Sequence, residues 1–305
     1  MSTQEILQSN LNKTAKMRML FELGLTRTEV ANLLNVGYGF AQNVYKNWKG
    51  TELQILTTPY EFTRKFGIEI EAFGVNKTAL TNALRNEGIN INSESYNHNT
   101  RNYWKIVSDG SISGENAFEI VSPPLQGADG LEQLNKVCNV LKRLRAKINK
   151  TCGLHIHLDA SDLQLNDWKN ITYNYAKLEN TIDSFMPISR RENNNTYCKS
   201  MKRADLETKI NNSRTLEQLA DTMTNRNRYY KLNFESFWRH RTIEFRQHSG
   251  STEFEKISNW INFVSKLVHF SKTSRVASSE FTELNKFLNS EEQDYFHNRI
   301  QDLAS

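Results

Sequence analysis

The sequence has no long apolar run. Nowhere do about 18 hydrophobic residues follow one another, so no membrane-spanning helix is expected. It lacks a secretory start as well: MSTQEILQSNLNK has no basic opening followed by an apolar stretch. Cysteine is scarce. Cys138, Cys152 and Cys198 are widely spaced, odd in number and without a CxxC pair, which favours a reducing, cytoplasmic setting. Excess charge is small too. A formal net charge of +5 permits a polyanionic partner without demanding one.

What is present suits a globular protein of one large or two modest domains: 305 residues, 38% hydrophobic and 24% charged. A boundary is expected near residues 50–62, where GTELQILTTPYEF carries Gly50 and Pro59, both poor helix residues. The expected domains are 1–55 and 62–305. Residues 14–49 read as three short helices. The first, TAKMRMLFEL, is broken by Gly24. The second starts at Thr26, with Glu29 completing a capping box. The third is FAQNVYKNW. Val30, Leu33, Leu34, Val36, Phe40, Val44 and Trp48 are available for a small core. This unit resembles the helix-turn-helix of many bacterial and phage proteins, which would offer Tyr38, Gln42, Asn43 and Lys46 to DNA. Residues 1–60 hold six Lys/Arg against four Asp/Glu, a thin electrostatic footprint for DNA, and such units also serve as protein-interaction modules.

Beyond the boundary, strands are expected at 64–73, 102–108, 116–122, 153–159 and 240–248. Helices are expected at 77–87, 127–149, 161–185, 203–222, 253–273 and 280–303. The stretch RRENNNTYCKSMKR, 190–203, reads as a mobile polar loop, and NSESYNHNTRN around His98 as another.

The informative feature is parity. Side chains alternate across a strand, so residues two apart share a face. In KFGIEIEAF, Ile68, Ile70 and Ala72 face one way and Glu69 and Glu71 the other. Two carboxylates about 6–7 Å apart repel unless a cation sits beside them, and a hard divalent ion is the natural partner. Two ordinary surface glutamates are the alternative. In ENAFEIVSPP, Glu119 sits between Phe118 and Ile120, and Pro123 and Pro124 end the strand. In CGLHIHLD, His155 and His157 share the face opposite Leu154, Ile156 and Leu158, as metal or phosphate ligands or as satisfied structural histidines. In RTIEFRQH, Thr242, Glu244, Arg246 and His248 share a face. They form either a salt-bridge ladder or a site in which Glu244 holds metal and Arg246 phosphate. Together, four such strands on one curved sheet would line a single cleft.

GIEIEAF, WKIVSDGSI, FEIVSPPL, GLHIHLD and RTIEFRQHSGS, in this order, resemble the amidoligase family, related to glutamine synthetase and glutamate–cysteine ligase, over residues 62–270. The resemblance implies an α+β fold: a curved antiparallel half-barrel backed by helices, preceded here by the small three-helix unit. It implies an ATP-dependent carbon–nitrogen ligase that forms an amide or peptide bond through an acyl phosphate, using ATP with Mg2+ or Mn2+. By position, Glu69, Glu71, Glu119, His155 and Glu244 would ligate metal. His155, His157 and Arg246 would touch ATP phosphates, and Glu69, Glu244 and Arg246 would act on the reaction. Asp109 and Ser111 match a DGS-type turn of the family. Arg228, Lys231 and Asn233, before the last motif, are further candidates for phosphate or substrate carboxylate. The basic loop 190–203 would either close over ATP or stay solvated. Carboxylate and amine substrates, of small molecules or peptides, are implied without their identity or the general base. The alternative is a DNA-binding regulatory or phage accessory protein with a degenerate ligase fold, partnering DNA or protein through residues 1–55.

Overall fold

The computed structural model describes residues 2–9, 11–48 and 63–304. The expected linker 50–62 lies outside the described residues. The chain divides into two compact units.

The smaller unit begins with α1 (Thr3–Gln8), followed by the three helices expected over 14–49: α2 (Lys13–Glu22), α3 (Arg27–Leu33) and α4 (Tyr38–Trp48). Their starts follow from local chemistry. The Asn12 side chain accepts the Ala15 N–H, capping α2. The Thr26 hydroxyl accepts the Glu29 N–H, and Glu29 accepts the Thr26 N–H in return, so the predicted capping box forms. Ile6, Met17, Leu20, Phe21, Val30, Ala31, Ala41 and Val44 fill the core. Leu34 and Val36 flank it, whereas Leu33 and Phe40, expected inside, are 43% and 45% exposed. Gln42 accepts a hydrogen bond from Arg27 in α3, so one candidate DNA contact is engaged within the unit.

The C-terminal helix Ser290–Ala304 belongs to this unit, in which Asn298 donates to the Thr28 hydroxyl. The larger unit ends at Leu288. Glu292 and Asn289 cap each other through their backbones, which separates this helix from the 3-10 turn Phe281–Lys286 and breaks the single helix expected over 280–303.

The larger unit is built on one seven-stranded sheet: β1 (Phe66–Ala72), β2 (Ile91–Ser93), β3 (Trp104–Val107), β4 (Phe118–Val121), β5 (Leu154–Asp159), β6 (Leu232–Asn233) and β7 (Thr242–Phe245). The order is β2-β3-β4-β1-β5-β7-β6. All pairs are antiparallel except β2–β3, so the sheet is mixed and not antiparallel throughout. Its helices are α5 (Lys77–Asn86), α6 (Gly127–Arg143), α7 (Leu165–Lys177), α8 (Glu179–Ser184), α9 (Leu206–Asn212), α10 (Leu216–Thr224), α11 (Glu235–His240) and α12 (Phe254–Ser271). Two expected helices are broken. Residues 161–185 divide at Leu178, and 203–222 divide where Thr215 caps α10. The apolar face of the sheet carries Ile68, Ile70, Ile106, Ile120, Leu154, Ile156, Ile243 and Phe245, all essentially inaccessible. Each such side chain contributes about 1.5–3 kcal/mol through burial. α12, buried on most of its circumference, packs on α6, α7 and β5 behind that face. No helix among the described residues is long and apolar enough to cross a membrane.

Candidate active site

The strand registers bring the polar parity positions into rows. Across β4–β1, Glu119 pairs with Glu71; across β1–β5, Glu69 pairs with His155; across β5–β7, His157 pairs with Glu244; and across β7–β6, Glu244 pairs with Asn233. With the apolar face committed to the core, these groups must emerge on the other side. They do so in one cleft of ≈ 580 Å³, within the roughly 300–1,000 Å³ of small-molecule sites. Glu69, Glu71, Glu119, His155, His157, Asn233, Glu244 and Arg246 all line it.

His155 is the centre of the cluster. Its Nδ1 lies 2.8 Å from Glu69 Oε2 and 3.7 Å from Glu244 Oε1, and its Nε2 lies 3.7 Å from Glu71 Oε1. Glu71 Oε2 accepts the Gly153 N–H at 2.5 Å. His157 donates or accepts at Thr242 Oγ1 through Nδ1, 2.9 Å away. Its Nε2 stands 3.3 Å from Glu69 Oε1 without an aligned hydrogen bond, leaving a buried ring nitrogen unsatisfied. Glu244 is held by Arg246 and, at 2.6 Å, by the Asn233 amide.

The charges are strained by crowding. Burial pushes the Glu119 carboxyl well above its ordinary range, and Glu69, Glu71 and Asp109 push it further. Burial also opposes ionisation of Glu69, yet hydrogen bonding to His155 and the closeness of His157 hold its pKa well below the usual range. For Glu244, burial is outweighed by Arg246 and His157, and its pKa falls. For His157, burial is outweighed by Glu244 and Glu69, and its pKa rises. Burial, then His157, lowers His240 to about 4. Buried carboxylates crowded around an imidazole make a place that a hard cation fits. Two donor sets meet that need, with ligand atoms within 4.8 Å of one another: Glu69, His155 and Glu244, and Glu71, Glu119 and His155.

Asp109 and Ser111 also line the cleft, joined by hydrogen bonds of 2.7 and 2.6 Å from the Ser111 N–H and hydroxyl to Asp109 Oδ1. Arg228 lies at the rim over the Tyr229 ring. Lys231, expected beside it as a phosphate ligand, does not reach the cleft. It is wholly buried, with Nζ 2.9 Å from Glu179 and 2.6 Å from Asp183 on α8. Two carboxylates in a dry interior hold that ammonium more strongly than an open cleft would.

The same carboxylates correct the reading of 190–203 as a mobile stretch. Asp183 accepts the Glu192 N–H at 2.9 Å and Glu179 accepts the Met201 N–H at 2.6 Å, while Cys198 and Met201 are buried. Between these anchors the Tyr197 carbonyl accepts from Arg246 Nε at 3.3 Å, and Tyr197 lines the cleft. Sequence reasoning passed over Arg190. It is buried against the cleft, donates to the Cys152 carbonyl at 2.5 Å, and leaves its Nε unpaired. Its only signal was a position in a basic run. Tyr229, Trp238 and His240 also line the cleft and had no signal.

A family model described as "Putative amidoligase enzyme" matches residues 62–268, well over half of the chain. No curated protein matches it.

Proposed function

The chain belongs to the amidoligase enzyme family, and from that premise we propose that it joins a carboxylate to an amine with ATP as the energy source. The observation that carries this reading is the convergence of four glutamates, two imidazoles and Arg246 on one cleft wall. A carboxylate is a poor electrophile, and activation needs a site that tolerates the charge of a triphosphate beside a second anion. Divalent cations held by Glu69, Glu71, Glu119, His155 and Glu244 would neutralise phosphate charge and orient it.

The chain's own residues supply the remainder. Arg246, half-buried and poised against Glu244, presents its fork to the transferring phosphoryl group. The donor carboxylate oxygen forms a bond to the γ-phosphorus as the bond to the β-bridging oxygen breaks, releasing ADP. The amine nitrogen then attacks the acyl carbon, phosphate departs with the C–O electron pair, and the amine proton passes to a base. Arg190 and Arg228 add positive charge at the cleft wall and rim. The anchored loop 190–203 closes one side against water, which would otherwise hydrolyse the acyl phosphate.

The test is magnesium-dependent nucleotide binding by calorimetry, followed by ADP release with candidate carboxylates and amines. Micromolar-to-millimolar binding that vanishes with chelator, together with ADP release that is lost in Arg246→Ala, supports the reading. Purified protein that binds no nucleotide with magnesium present ends it.

A further inference from the structure

The polar face of the sheet continues past the cluster. Along β1, Lys65 and Gly67 extend the alternation of Glu69 and Glu71, and the Lys65 carbonyl accepts the Asp159 N–H, so the ladder with β5 runs on. A second cavity of ≈ 260 Å³ lies here, sharing Glu69, Glu119 and His157 with the first cleft. Its floor exists because residue 67 has no side chain. Its roof is the segment 97–100, which crosses the face. Lys105 Nζ donates to the Asn97 carbonyl, the Asn97 side chain and the Asn99 carbonyl at 3.0, 3.0 and 2.8 Å, and the Thr100 hydroxyl meets His240 Nδ1 at 3.0 Å.

The chamber has a charge polarity. Its inner end is acidic, with Glu69 and Glu119. Lys105 also lines it and keeps its charge, but all three of its N–H donors are spent on the roof and none is left for a ligand. Its outer rim carries two basic residues beside one carboxylate, Asp159, whose Oδ1 accepts from the Ser161 N–H and hydroxyl. Lys65 and Arg241 both line it, both are exposed, and neither makes an ion pair among the described residues. Arg241 sits at φ 58°, a backbone conformation that favours glycine, directly after α11, with its guanidinium over the Phe237 ring, 5.1 Å from the centroid.

We propose that this chamber receives the amine substrate, and that the amine is a small zwitterion: its ammonium end meets Glu69 and Glu119 and its anionic end meets Lys65 and Arg241. This rests on the amide-ligation reading. The two substrates then approach the shared carboxylates from opposite ends of one sheet face, the nucleotide over Arg246 and the amine over Gly67.

Gly67→Val tests it. A Cβ at residue 67 meets only His157 Cβ at 3.5 Å and Ser122 Oγ at 3.9 Å, ordinary contact distances, and a β-branched residue suits a strand. The branched side chain fills the chamber and leaves the Arg246 end open. Binding would be measured by saturation-transfer NMR and calorimetry on the full chain, with the common α-amino acids, β-alanine and taurine as probes. The amide and N-acetyl forms of any binder, and the magnesium complex of AMPPNP, would be measured alongside.

At least one zwitterion should bind saturably. Its amide and N-acetyl forms should each bind at least tenfold more weakly. Gly67→Val should abolish that binding while AMPPNP affinity stays within twofold. Arg241→Asn, which keeps a residue tolerant of the left-handed conformation, and Lys65→Gln should each weaken zwitterion binding at least fivefold; these keep the test valid if Gly67→Val fails to fold. No saturable zwitterion binding to the wild-type chain, or binding indifferent to residues 65, 67 and 241, overturns the proposal. Failure of AMPPNP to bind wild-type protein strikes the ligase reading instead, and the zwitterion measurement still stands apart from it.

Discussion

Glu69 and His155 face each other across the β1–β5 ladder, with Glu69 Oε2 2.8 Å from His155 Nδ1. The pair joins the two donor sets of the cleft, because Glu69 belongs to one and His155 to both. Glu69→Gln preserves shape while removing the charge. It should weaken Mn2+ binding at least about tenfold, read by electron paramagnetic resonance, with little change in thermal midpoint. Unchanged Mn2+ affinity would remove the cluster from consideration as a metal site.

Arg246 and Glu244 hold each other, and Arg246 Nε also reaches the Tyr197 carbonyl. A lysine at this position keeps the charge but loses the paired donors. Arg246→Lys should lower magnesium-dependent ADP formation by about 10²–10³-fold and change nucleotide affinity much less. An equal loss in both would make Arg246 a ground-state ligand and not a stabiliser of the transferring group.

Lys231 carries a different prediction, because its worth is to the fold. Removing it leaves Glu179 and Asp183 facing each other in a dry interior. Lys231→Met should cost about 3–5 kcal/mol in urea denaturation. The loop anchored through the Glu192 and Met201 amides should gain hydrogen exchange at the same time. Adding Asp183→Asn should recover part of the loss, since the surviving carboxylate then has no charged neighbour.

These outcomes bear on how much could be read from the amino-acid order. The faces of β1, β4, β5 and β7 were legible because alternation with period two is dictated by backbone geometry, and Ile68, Ile70, Leu154, Ile156, Ile243 and Phe245 marked the buried side. What alternation cannot carry is partnership at a distance. Lys231 looks like any basic residue before a strand; its burial is set by α8, some fifty positions away. β2 and β6, of three and two residues, are too short to show a period. The segment 97–100 reads as polar loop, and only the reach of Lys105 and Thr100 makes it a roof.

That roof has an acid-sensitive hinge. Glu94 accepts from Arg101, Tyr103 and Asn97, and Arg101, followed by Tyr103, lowers its pKa from 4.5 to about 2. A carboxyl whose folded pKa is depressed adds stability that is present above its unfolded value. It is lost as pH falls from about 4.5 toward 2. Wild-type amide protection over 94–101 should therefore fall across that window. Glu94→Gln should show weaker protection at neutral pH and a flatter acid limb.

Gly153 offers the sharpest separation of site from fold. It precedes β5, and its N–H already holds Glu71. A Cβ there would lie 2.9 Å from His155 Nε2, 3.2 Å from Arg190 Nη2 and 3.3 Å from Glu71 Oε2, so three cleft groups converge on the space that glycine leaves empty. None of these is backbone, and the imidazole can yield by rotating. Gly153→Ala should then fold with a thermal midpoint close to wild type, because the core behind the sheet is untouched. Mn2+ binding should fall at least about tenfold, since His155 is the ligand shared by both donor sets. Restoring space with Gly153→Ala/Arg190→Ala should not rescue it, because the closest approach is to His155 and not to the guanidinium. Full Mn2+ affinity in Gly153→Ala would mean that His155 can leave its position without consequence, and the cluster would then have to bind cations through carboxylates alone.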